Sequence, residues 1–355
     1  MAQPLKDLIN AGSVATLAGG LAAAWPAFPR ARFTAAALSG LDGLELKARV
    51  AHVAAALHDA LPLPYPRAAA LVRECAGDLD MWSGWPATEH TAARGLDHLA
   101  AAMRTLAALT PYATGEFAVR PFLERHRDEA LTIMYEWAES PDEHLRRLAS
   151  EGSRPRLPWA GRVGWLMTPG PTLPLLDRLR DDPSEYVRRS VANHVNDLAK
   201  DHPEVALELL ARWRAGGGSH VERVLRHAAR GLLRAGHPQA LALVGATPGS
   251  GAVDTLALES DVVAVGGKLA FTVTVTAGAA GPVLLKYAVR RAGSRRVFHL
   301  GQREAGGAGE TFTLRKSHSF RPVTTRDEPP GARELDVIVN GRVAATLPFT
   351  LTGPR

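Results

Sequence analysis

The sequence predicts a mainly α-helical protein in two parts, a helical-repeat solenoid followed by a β-sandwich. Two observations carry this prediction. Up to about residue 246, apolar residues recur at helical spacing and helix-start motifs repeat, whereas from residue 252 apolar and polar residues alternate. The two patterns meet at the turn-forming segment Thr247-Pro248-Gly249-Ser250-Gly251. We therefore predict a helical domain at residues 1–246 and a β-domain at residues 252–355.

One helix in the first part is indicated by apolar spacing. Leu96, Leu99, Met103 and Leu106 follow one another at intervals of three and four residues, which places them on a single helix face. Thr110-Pro111 follows directly, and proline rarely continues a helix, so this helix is expected to end there.

The helical part also contains an internal repeat. Ser140-Pro141-Asp142-Glu143 matches Asp182-Pro183-Ser184-Glu185, 42 residues later. In each we predict a capping box, with Ser140 or Asp182 as the N-cap and proline at the first helical position. Ser219-His220-Val221-Glu222 predicts a third such start.

A second motif marks the alternate helix of each unit. His202-Pro203-Glu204 recurs as His237-Pro238-Gln239. Self-similarity at about 35–45 residues with two helices per unit is typical of a HEAT-like solenoid. In this register Glu151 and Asn193 are equivalent, and Asp197 lies one turn after Asn193, so we expect all three on one surface.

The β-domain is indicated by residues that alternate in polarity. Leu269, Phe271, Val273 and Val275 alternate with polar or small residues, and Asn340-Gly341 is a strong hairpin signal. Six or seven short strands in about 105 residues predict an immunoglobulin-like β-sandwich. Further strands are predicted at Val283–Val289, Val297–Leu300, Thr311–Leu314, Leu335–Val339 and Val343–Leu351.

Composition excludes several classes of protein. No run of 18 apolar residues exists, so we expect no membrane span. The alanine-rich stretch Val14–Ala24 follows Asp7 and lacks a clean cleavage site, which argues against a signal peptide. A single cysteine, Cys75, excludes an internal disulfide framework and a cysteine metal cage. We expect a monomer in the reducing cytoplasm.

The chain is basic, with a net charge of +6 that comes mainly from arginine. From Thr247 onward it carries 14 Lys plus Arg against 9 Asp plus Glu, so the excess lies in the smaller, C-terminal part. The planar guanidinium matches phosphate, and an arginine-rich chain is therefore compatible with nucleic acid. GC-rich coding, which replaces lysine by arginine, is an equally good explanation of the composition.

A candidate site lies at a predicted helix end. Within Ser150–Trp159 the chain places a carboxylate at Glu151, arginines at Arg154 and Arg156, and an indole at Trp159. A carboxylate suits a cation, arginine suits phosphate and an indole suits a planar face. This combination indicates a ligand that is charged, planar and attached to a phosphate chain.

Several segments together resemble the AlkC branch of the HEAT-repeat alkylpurine DNA glycosylases in order and spacing. The resemblance implies excision of cationic N3-methylated bases, chiefly 3-methyladenine and 3-methylcytosine, from duplex DNA, by enzymes that bend DNA without flipping the base into a deep pocket. Some members carry a C-terminal immunoglobulin-like domain. The segments are Leu44–Val50, Gly84-Trp85-Pro86, Gly115–Phe122, Glu151–Trp159 and Arg188–Pro203.

The resemblance also implies the site residues. The acidic cluster of the family maps onto Glu116, Glu151 and Asp197, with Trp159 beside the lesion. Breaking the glycosidic bond puts positive charge on the sugar, which carboxylates near C1′ stabilise in the transition state. One carboxylate can also position and deprotonate water. No lysine stands out as a Schiff-base nucleophile, so we expect a monofunctional glycosylase.

Two groups of basic residues are the candidate DNA contacts. In the helical part we predict contacts to the DNA from Arg154, Arg156, Arg188, Arg189 and Asn193. In the β-domain the candidates are the turn with Arg290, Arg291, Arg295 and Arg296, or the stretch with Arg315, Lys316, His318 and Arg321. Related enzymes engage the minor groove with a basic loop of this domain, so one of the two is expected to face the duplex.

Structural explanations stand beside these roles. Glu116 can cap a helix, Glu151 can pair with Arg154, Asp197 can hold a turn through Lys200, and Trp159 can pack between repeats. Arg188 and Arg189 can form a solvated helix face. A non-catalytic HEAT-repeat scaffold that binds protein or damaged DNA is then the alternative function. The 13 histidines show no metal-ligand spacing with carboxylates, so we expect no metal and no cofactor.

Overall fold

A computed structural model describes residues 4–322 and 328–353 of the chain. The described residues form two compact units, each with its own core. The first contains residues 4–202 with 218–220, and the second contains residues 203–217 with the described residues from 221 onward. None of the described helices combines the length and hydropathy needed to cross a bilayer.

Fifteen α-helices are found within the described residues. They are α1 (Ala11–Ala24), α2 (Arg30–Leu38), α3 (Leu46–Ala60), α4 (Tyr65–Glu74), α5 (Met81–Arg94), α6 (Leu99–Leu109), α7 (Arg120–Arg125), α8 (Arg127–Ala138), α9 (Glu143–Gly152), α10 (Leu173–Leu179), α11 (Glu185–Leu198), α12 (Pro203–Gly216), α13 (Val221–Ala228), α14 (Arg230–Ala235) and α15 (Pro238–Leu243). The predicted helix through Leu96 begins later, because Leu96 lies in the turn before α6; its end before Thr110 is confirmed.

The first unit is built from helices that pack in pairs, α3 with α5, α8 with α9 and α9 with α11. Apolar side chains from α1 to α5 fill its N-terminal core, where Leu17, Leu21, Val53, Leu57 and Val72 are almost fully buried. The pairing of α9 with α11 matters most for function, because it places their C-terminal turns beside each other.

The predicted helix starts at Ser140 and Asp182 are wrong by two residues. The N-caps are Asp142 for α9 and Ser184 for α11. Ser140 Oγ accepts from the amide of Asp142 (3.1 Å), and Asp182 Oδ1 accepts from the amide of Ser184 (2.8 Å). Each therefore stabilises a turn that precedes the helix, because serine and aspartate side chains mimic a backbone turn as readily as they cap.

The second helix-start motif behaves as predicted. Pro203 is the first residue of α12, and Pro238 is the first residue of α15 with His237 as its N-cap. A missing proline N–H costs nothing at the first helical position, because that donor has no helical partner.

The β-domain consists of two sheets with strand orders β1-β3-β6 and β2-β8-β7-β4-β5. The sheets enclose a core that includes Phe271, Leu285, Tyr287, Phe320 and Val337. This is the predicted immunoglobulin-like sandwich. The strands are β1 (Ala252–Leu258), β2 (Val262–Ala264), β3 (Lys268–Thr276), β4 (Gly281–Arg291), β5 (Ser294–Ala305), β6 (Thr311–Ser319), β7 (Gly331–Val339) and β8 (Arg342–Thr352).

Asn340-Gly341 joins β7 to β8, which confirms the hairpin signal. Both residues have positive φ, 43° and 86°, as the two-residue hairpin turn requires. The number of strands is an under-prediction, since the described residues contain eight. β1 is largely exposed and β2 has three residues, so neither shows a clear apolar alternation.

Helices α14 and α15 belong to the second unit together with the sheets. Lys286 Nζ on β4 donates to the carbonyl of Leu233 on α14. A Cβ at Gly341, in the β7–β8 turn, would lie 2.8 Å from the carbonyl oxygen of Gly236, so the two backbones touch there. The helical residues from 221 to 246 thus share a compact unit with the sandwich.

Candidate active site

Three carboxylates expected at the site come from three different elements of the first unit. Glu116 lies in the turn before α7, Glu151 in the last turn of α9 and Asp197 in the last turn of α11. Glu116 does not cap a helix, because α7 begins only at Arg120. Two arginines connect the three carboxylates in one continuous chain of charges.

Arg147 on α9 connects Glu116 to Glu151. Its Nη1 lies 2.5 Å from Glu116 Oε2, and its Nη2 lies 3.7 Å from Glu151 Oε1. The guanidinium also lies over the ring of Tyr186, with Cζ 5.1 Å from the ring centroid. Nη1 donates to Thr114 Oγ1 (2.9 Å) as well, so the arginine is fixed from several directions.

Arg154 connects Glu151 to Asp197. Nη1 donates to Glu151 Oε1 (2.6 Å) and Nε donates to Asp197 Oδ2 (2.8 Å). The side chain is buried; burial alone lowers its pKa, but the carboxylates of Glu151 and Asp197 outweigh that effect and raise the pKa of Arg154 above its ordinary value. Lys200 Nζ adds a contact to Asp197 Oδ1 at 3.2 Å.

The second oxygen of Glu151 has a different partner. Ser190 Oγ on α11 lies 2.7 Å from Glu151 Oε2 and 3.0 Å from Ser150 Oγ. His194, one turn further along α11, donates from Nδ1 to the carbonyl of Ser150 (3.0 Å). Burial lowers the pKa of His194 to about 4, so this imidazole is neutral at pH 7.

The cluster, defined by Glu116, Arg147, Glu151, Arg154 and Asp197, is a fixed array of charges. Negative oxygens held by fixed guanidinium groups, one buried (Arg154) and one partly buried (Arg147), need no reorganisation when a positive charge develops near them. Such an array can therefore stabilise a cationic transition state. Both expected structural contacts, Glu151 with Arg154 and Asp197 with Lys200, are present as well.

Trp159 is the most exposed large apolar side chain of the described residues, at 62 %. It does not pack between repeats. Its backbone has φ +66°, the left-handed region, and Lys47 Nζ donates to its carbonyl oxygen (2.8 Å). Non-glycine residues in that region cost about 1–3 kcal/mol and are concentrated at ligand-binding sites.

The indole of Trp159 lines a pocket of about 350 Å³ on the first unit. Trp85 and Phe117 form part of its wall and lie nearly parallel to each other, with ring centroids 5.7 Å apart. Charged residues of both signs also line the pocket: Glu89, Glu124, Lys47, Arg120 and Arg162. Aromatic faces beside such groups suit a planar, polar ligand.

Arg120 is a residue of this site that sequence reasoning missed. Its guanidinium donates to the carbonyls of Gly152 (2.9 Å), Arg154 (2.9 Å) and Gly161 (3.0 Å), and burial lowers its pKa to about 10. It thereby ties the loop that carries Trp159 to the end of α9. The available signal was its place in the Gly115–Phe122 segment, in which only Glu116 was assigned a role.

The arginines expected to contact DNA fall into two groups. Arg156 and Arg189 are accessible: Arg156 forms a two-point ion pair with Asp201 (2.6 and 2.9 Å), and Arg189 lies 3.6 Å from Glu185 with 61 % of its side chain exposed. Arg154 and Arg188 are buried. Asn193 on α11 is half-buried.

Arg188 has a role that the internal repeat explains. Its Nη1 donates to the carbonyls of Asp182 and Pro183, six and five residues earlier. The equivalent residue of the previous unit, Arg146, donates to the carbonyls of Ser140 and Pro141, both at 2.9 Å. Each arginine therefore closes the turn before its own helix, rather than forming a solvated face.

In the β-domain, the basic turn is largely paired with carboxylates. Arg290 pairs with Glu334 and Asp336 (both 2.8 Å), and Arg295 lies 3.6 Å from Asp336. Arg296 pairs with Glu328, at 2.5 Å. Arg291 is exposed at the end of β4.

The second basic stretch is mixed in character. Arg315 pairs with Glu259 and Lys316 is half-buried. His318 is buried, with Nδ1 3.0 Å from Tyr287 Oη and its ring edge-on to Phe320. Arg321 is exposed.

The described part of the chain contains no candidate metal site. Among residues 4–322 and 328–353, no three or more histidine, cysteine, aspartate or glutamate side chains are grouped to hold an ion.

Comparisons with known protein families match both parts of the chain. Residues 114–233 match the family described as "DNA alkylation repair enzyme". Residues 252–353 match the family described as "Uncharacterised protein YhaZ, C-terminal Ig-like domain". The first match contains all three carboxylates of the cluster.

Two relatives match the chain over nearly its whole length, across both the helical part and the β-domain. "Uncharacterized protein YhaZ" of Bacillus subtilis (strain 168) is 34 % identical over 353 residues, which cover 97 % of this chain and 98 % of the relative. The structure of Pseudomonas fluorescens alkylpurine DNA glycosylase AlkC, bound to DNA containing an abasic site analog, is 34 % identical with a TM-score of 0.90. That match covers 98 % of this chain and 99 % of the other.

Proposed function

Because the chain belongs to the AlkC-type family of DNA alkylation repair glycosylases, with a C-terminal immunoglobulin-like domain, we propose that it excises cationic N3-methylated bases from duplex DNA. It is a DNA repair glycosylase by this membership. The proposed substrates are 3-methyladenine and 3-methylcytosine, and the proposed reaction is hydrolysis of the N-glycosidic bond.

The observation that carries the proposal is the charge array that joins Glu116, Glu151 and Asp197 through Arg147 and Arg154. An N3-methylated base is positively charged and so is already a good leaving group. As the glycosidic bond breaks, the positive charge moves to the deoxyribose, as in glycoside hydrolysis. Carboxylates fixed near C1′ favour that charge more in the transition state than in the ground state.

The nucleophile in this mechanism is water. One of the three carboxylates accepts a proton from the water as it attacks C1′, and the base leaves with the bonding electron pair. Trp159 presents an exposed indole face to the cationic base or to the sugar. Since this arrangement needs neither a metal ion nor a deep pocket, we propose that the base is not flipped into one.

Three polar groups are the proposed contacts to the flanking phosphates. Arg156 and Arg189 fit this role by position and exposure, and the half-buried Asn193 fits it by its position on α11. For the buried Arg154 and Arg188 we propose a different task, because their donors are engaged by carboxylates and backbone carbonyls. Arg154 holds the cluster, and Arg188 holds the turn before α11.

The test is release of bases from methylated duplex DNA, followed by chromatography. We expect 3-methyladenine and 3-methylcytosine to be released at the same rate with and without a chelator, and to leave abasic sites. An unmethylated duplex of the same sequence is the control. Failure to release a base from any alkylated duplex would contradict the proposal.

The pairing of every cluster carboxylate with a cation also supports a second candidate, a scaffold that binds DNA without chemistry. The same assay separates the two functions. A scaffold binds the methylated duplex and releases no base.

A further inference from the structure

We infer that Ser190 is a positioning residue for Glu151, and that it acts in the glycosylase reaction through a relay of two buried hydroxyl groups. This inference rests on the proposed function, because it assigns Glu151 a role in catalysis. Ser190 itself touches neither DNA nor water in this role. It fixes the position of one oxygen of the carboxylate.

The geometry defines the direction of the relay. Ser190 Oγ lies 2.7 Å from Glu151 Oε2 and 3.0 Å from Ser150 Oγ. A hydroxyl has a single hydrogen, and an ionised carboxylate is a stronger acceptor than another hydroxyl. Ser190 therefore donates to Glu151, and Ser150 donates to Ser190.

Both hydroxyls are inaccessible to solvent, so water cannot replace the bond. Ser150 is 0 % exposed and Ser190 is 3 % exposed. The backbone of Ser150 is held in turn by His194, whose Nδ1 donates to its carbonyl (3.0 Å). A hydrogen bond to a charged group in such surroundings is stronger than one at the surface.

The internal repeat shows that packing alone does not require a serine at this position. In the register that aligns α9 with α11, Ser190 is equivalent to Leu148, an apolar residue that is 0 % exposed. The α11 helix thus carries a hydroxyl where α9 carries a core leucine. That exchange places a donor directly opposite Glu151.

The two oxygens of Glu151 have different partners. Arg147 and Arg154 both approach Oε1, whereas Ser190 donates to Oε2. The remaining groups that face this region are Glu116 in the turn before α7, and Tyr186, His194 and Asp197 on α11.

The test compares Ser190→Ala with the control Ser153→Ala. Ser153 is also fully buried at the end of α9, but its hydroxyl donates to backbone carbonyls, that of Ala149 (2.7 Å) and that of Ser150 (3.3 Å), rather than to a carboxylate. Single-turnover excision of 3-methyladenine is measured against pH, together with affinity for DNA that contains an abasic-site analog. Ser190→Thr, which keeps the hydroxyl, serves as the rescue variant.

For Ser190→Ala we expect a single-turnover rate about tenfold lower across the pH–rate profile, because Glu151 Oε2 loses the donor that fixes its position. DNA affinity is unchanged. Ser190→Thr restores the profile, and Ser153→Ala keeps the wild-type profile even where its melting temperature falls.

A Ser190→Ala profile that superimposes on the wild-type profile would overturn the inference. So would an equal loss of rate in Ser153→Ala, since that would be a general effect of a buried cavity. If Ser190→Thr does not fold, the comparison of Ser190→Ala with Ser153→Ala still tests the inference, because only the first variant removes the donor to Glu151. Failure of the proposed function gives a different result, because the wild-type protein then releases no base at all.

Discussion

Glu151 and Asp197, on different helices, accept hydrogen bonds from the same guanidinium, that of Arg154. One cation therefore sets the spacing of two carboxylates that the sequence places far apart. Both oxygens involved are buried, so their positions depend on Arg154 and not on solvent. This relationship makes separate predictions for charge, for stability and for DNA binding.

Removing one negative charge from the cluster should slow excision without preventing binding. For Glu151→Gln and Asp197→Asn we expect about a 10²-fold or larger loss of single-turnover rate, because an amide keeps the shape but loses the charge that stabilises the sugar cation. Affinity for methylated duplex is retained.

The matched control for these amide variants is Glu139→Gln. Glu139 is an exposed carboxylate that pairs with Arg178 just after α8, outside the cluster, and its substitution leaves the rate unchanged. Wild-type rates for both cluster variants would show that the cluster is structural and would favour the scaffold function.

Arg154 should matter for stability far more than Arg156. In Arg154→Ala two buried carboxylates lose their shared partner, and breaking a buried pair in this way costs about 3–5 kcal/mol of unfolding free energy. Arg156 pairs with Asp201 at the surface, where a pair contributes about 0–1 kcal/mol. Denaturant unfolding of both variants measures the difference, and equal losses would contradict the buried bridge.

The two variants should also differ in DNA binding. In Arg156→Ala the slope of log affinity for DNA against log salt concentration should fall in magnitude by about one. The reason is that each phosphate contact contributes about one to this slope. Arg154→Met, which keeps much of the side-chain volume, leaves that slope unchanged. An unchanged slope for Arg156→Ala would remove this arginine from the phosphate contacts.

The buried imidazole of His194 predicts how stability depends on pH. Burial lowers its pKa from the ordinary 6.5 to about 4, so the unfolded chain binds a proton more readily than the folded one. The contribution of the neutral, buried His194 to the free energy of unfolding is therefore fully present above pH 6.5 and is lost as the pH falls toward 4. One such group contributes about 1.4 kcal/mol per pH unit within this window.

His194→Asn tests this contribution. The asparagine amide can still donate to the carbonyl of Ser150 but does not titrate, so the variant should lose stability less steeply between pH 6.5 and 4. His90, whose pKa is also lowered to about 4, mainly by burial, continues to titrate in both proteins. If unfolding free energy depends equally on pH in the wild type and the variant, His194 binds its proton as readily in the folded chain as in the unfolded chain, which would contradict the prediction.

The sequence predicts the secondary structure of this chain correctly where a local pattern of residues is compatible with only one backbone conformation. Pro203 and Pro238 begin helices because proline suits the first helical position, and Asn340-Gly341 makes a hairpin because both residues tolerate positive φ. The alternation in Leu269–Val275 likewise leaves one face for the core. The helix starts near Ser140 and Asp182 fail because the same side chains can stabilise a turn instead of a cap.

The cluster is less accessible to sequence reasoning because its contacts are long-range. The contact of Arg154 with Glu151 is local and was among the expected alternatives, whereas its contact with Asp197 spans 43 residues. The repeat register placed Glu151 and Asp197 on one surface but could not indicate the shared guanidinium. Arg120 was missed for a related reason, since its partners are three backbone carbonyls.

Deleting residues 252–355 tests the domain boundary that the sequence predicts. We expect residues 1–246 to stay soluble and helical by circular dichroism, because the first compact unit ends before the sheets begin. Helices α14 and α15 lose the backbone contacts that Lys286 and Gly341 provide, so their amides should exchange rapidly. Complete unfolding of the fragment would contradict independent domains.

The β-domain should contribute phosphate contacts through one of its two basic stretches. In the hairpin turn Arg291 is exposed and Arg295 is only loosely paired, and in the second stretch Arg315 and Arg321 are exposed.

We compare the double variants Arg291→Ala/Arg295→Ala and Arg315→Ala/Arg321→Ala by DNA affinity at several salt concentrations. The stretch that faces the duplex lowers the salt slope by about two, since each lost phosphate contact removes about one. The other double variant keeps the wild-type slope and so controls for the change in net charge. Wild-type slopes for both would mean that neither stretch touches DNA.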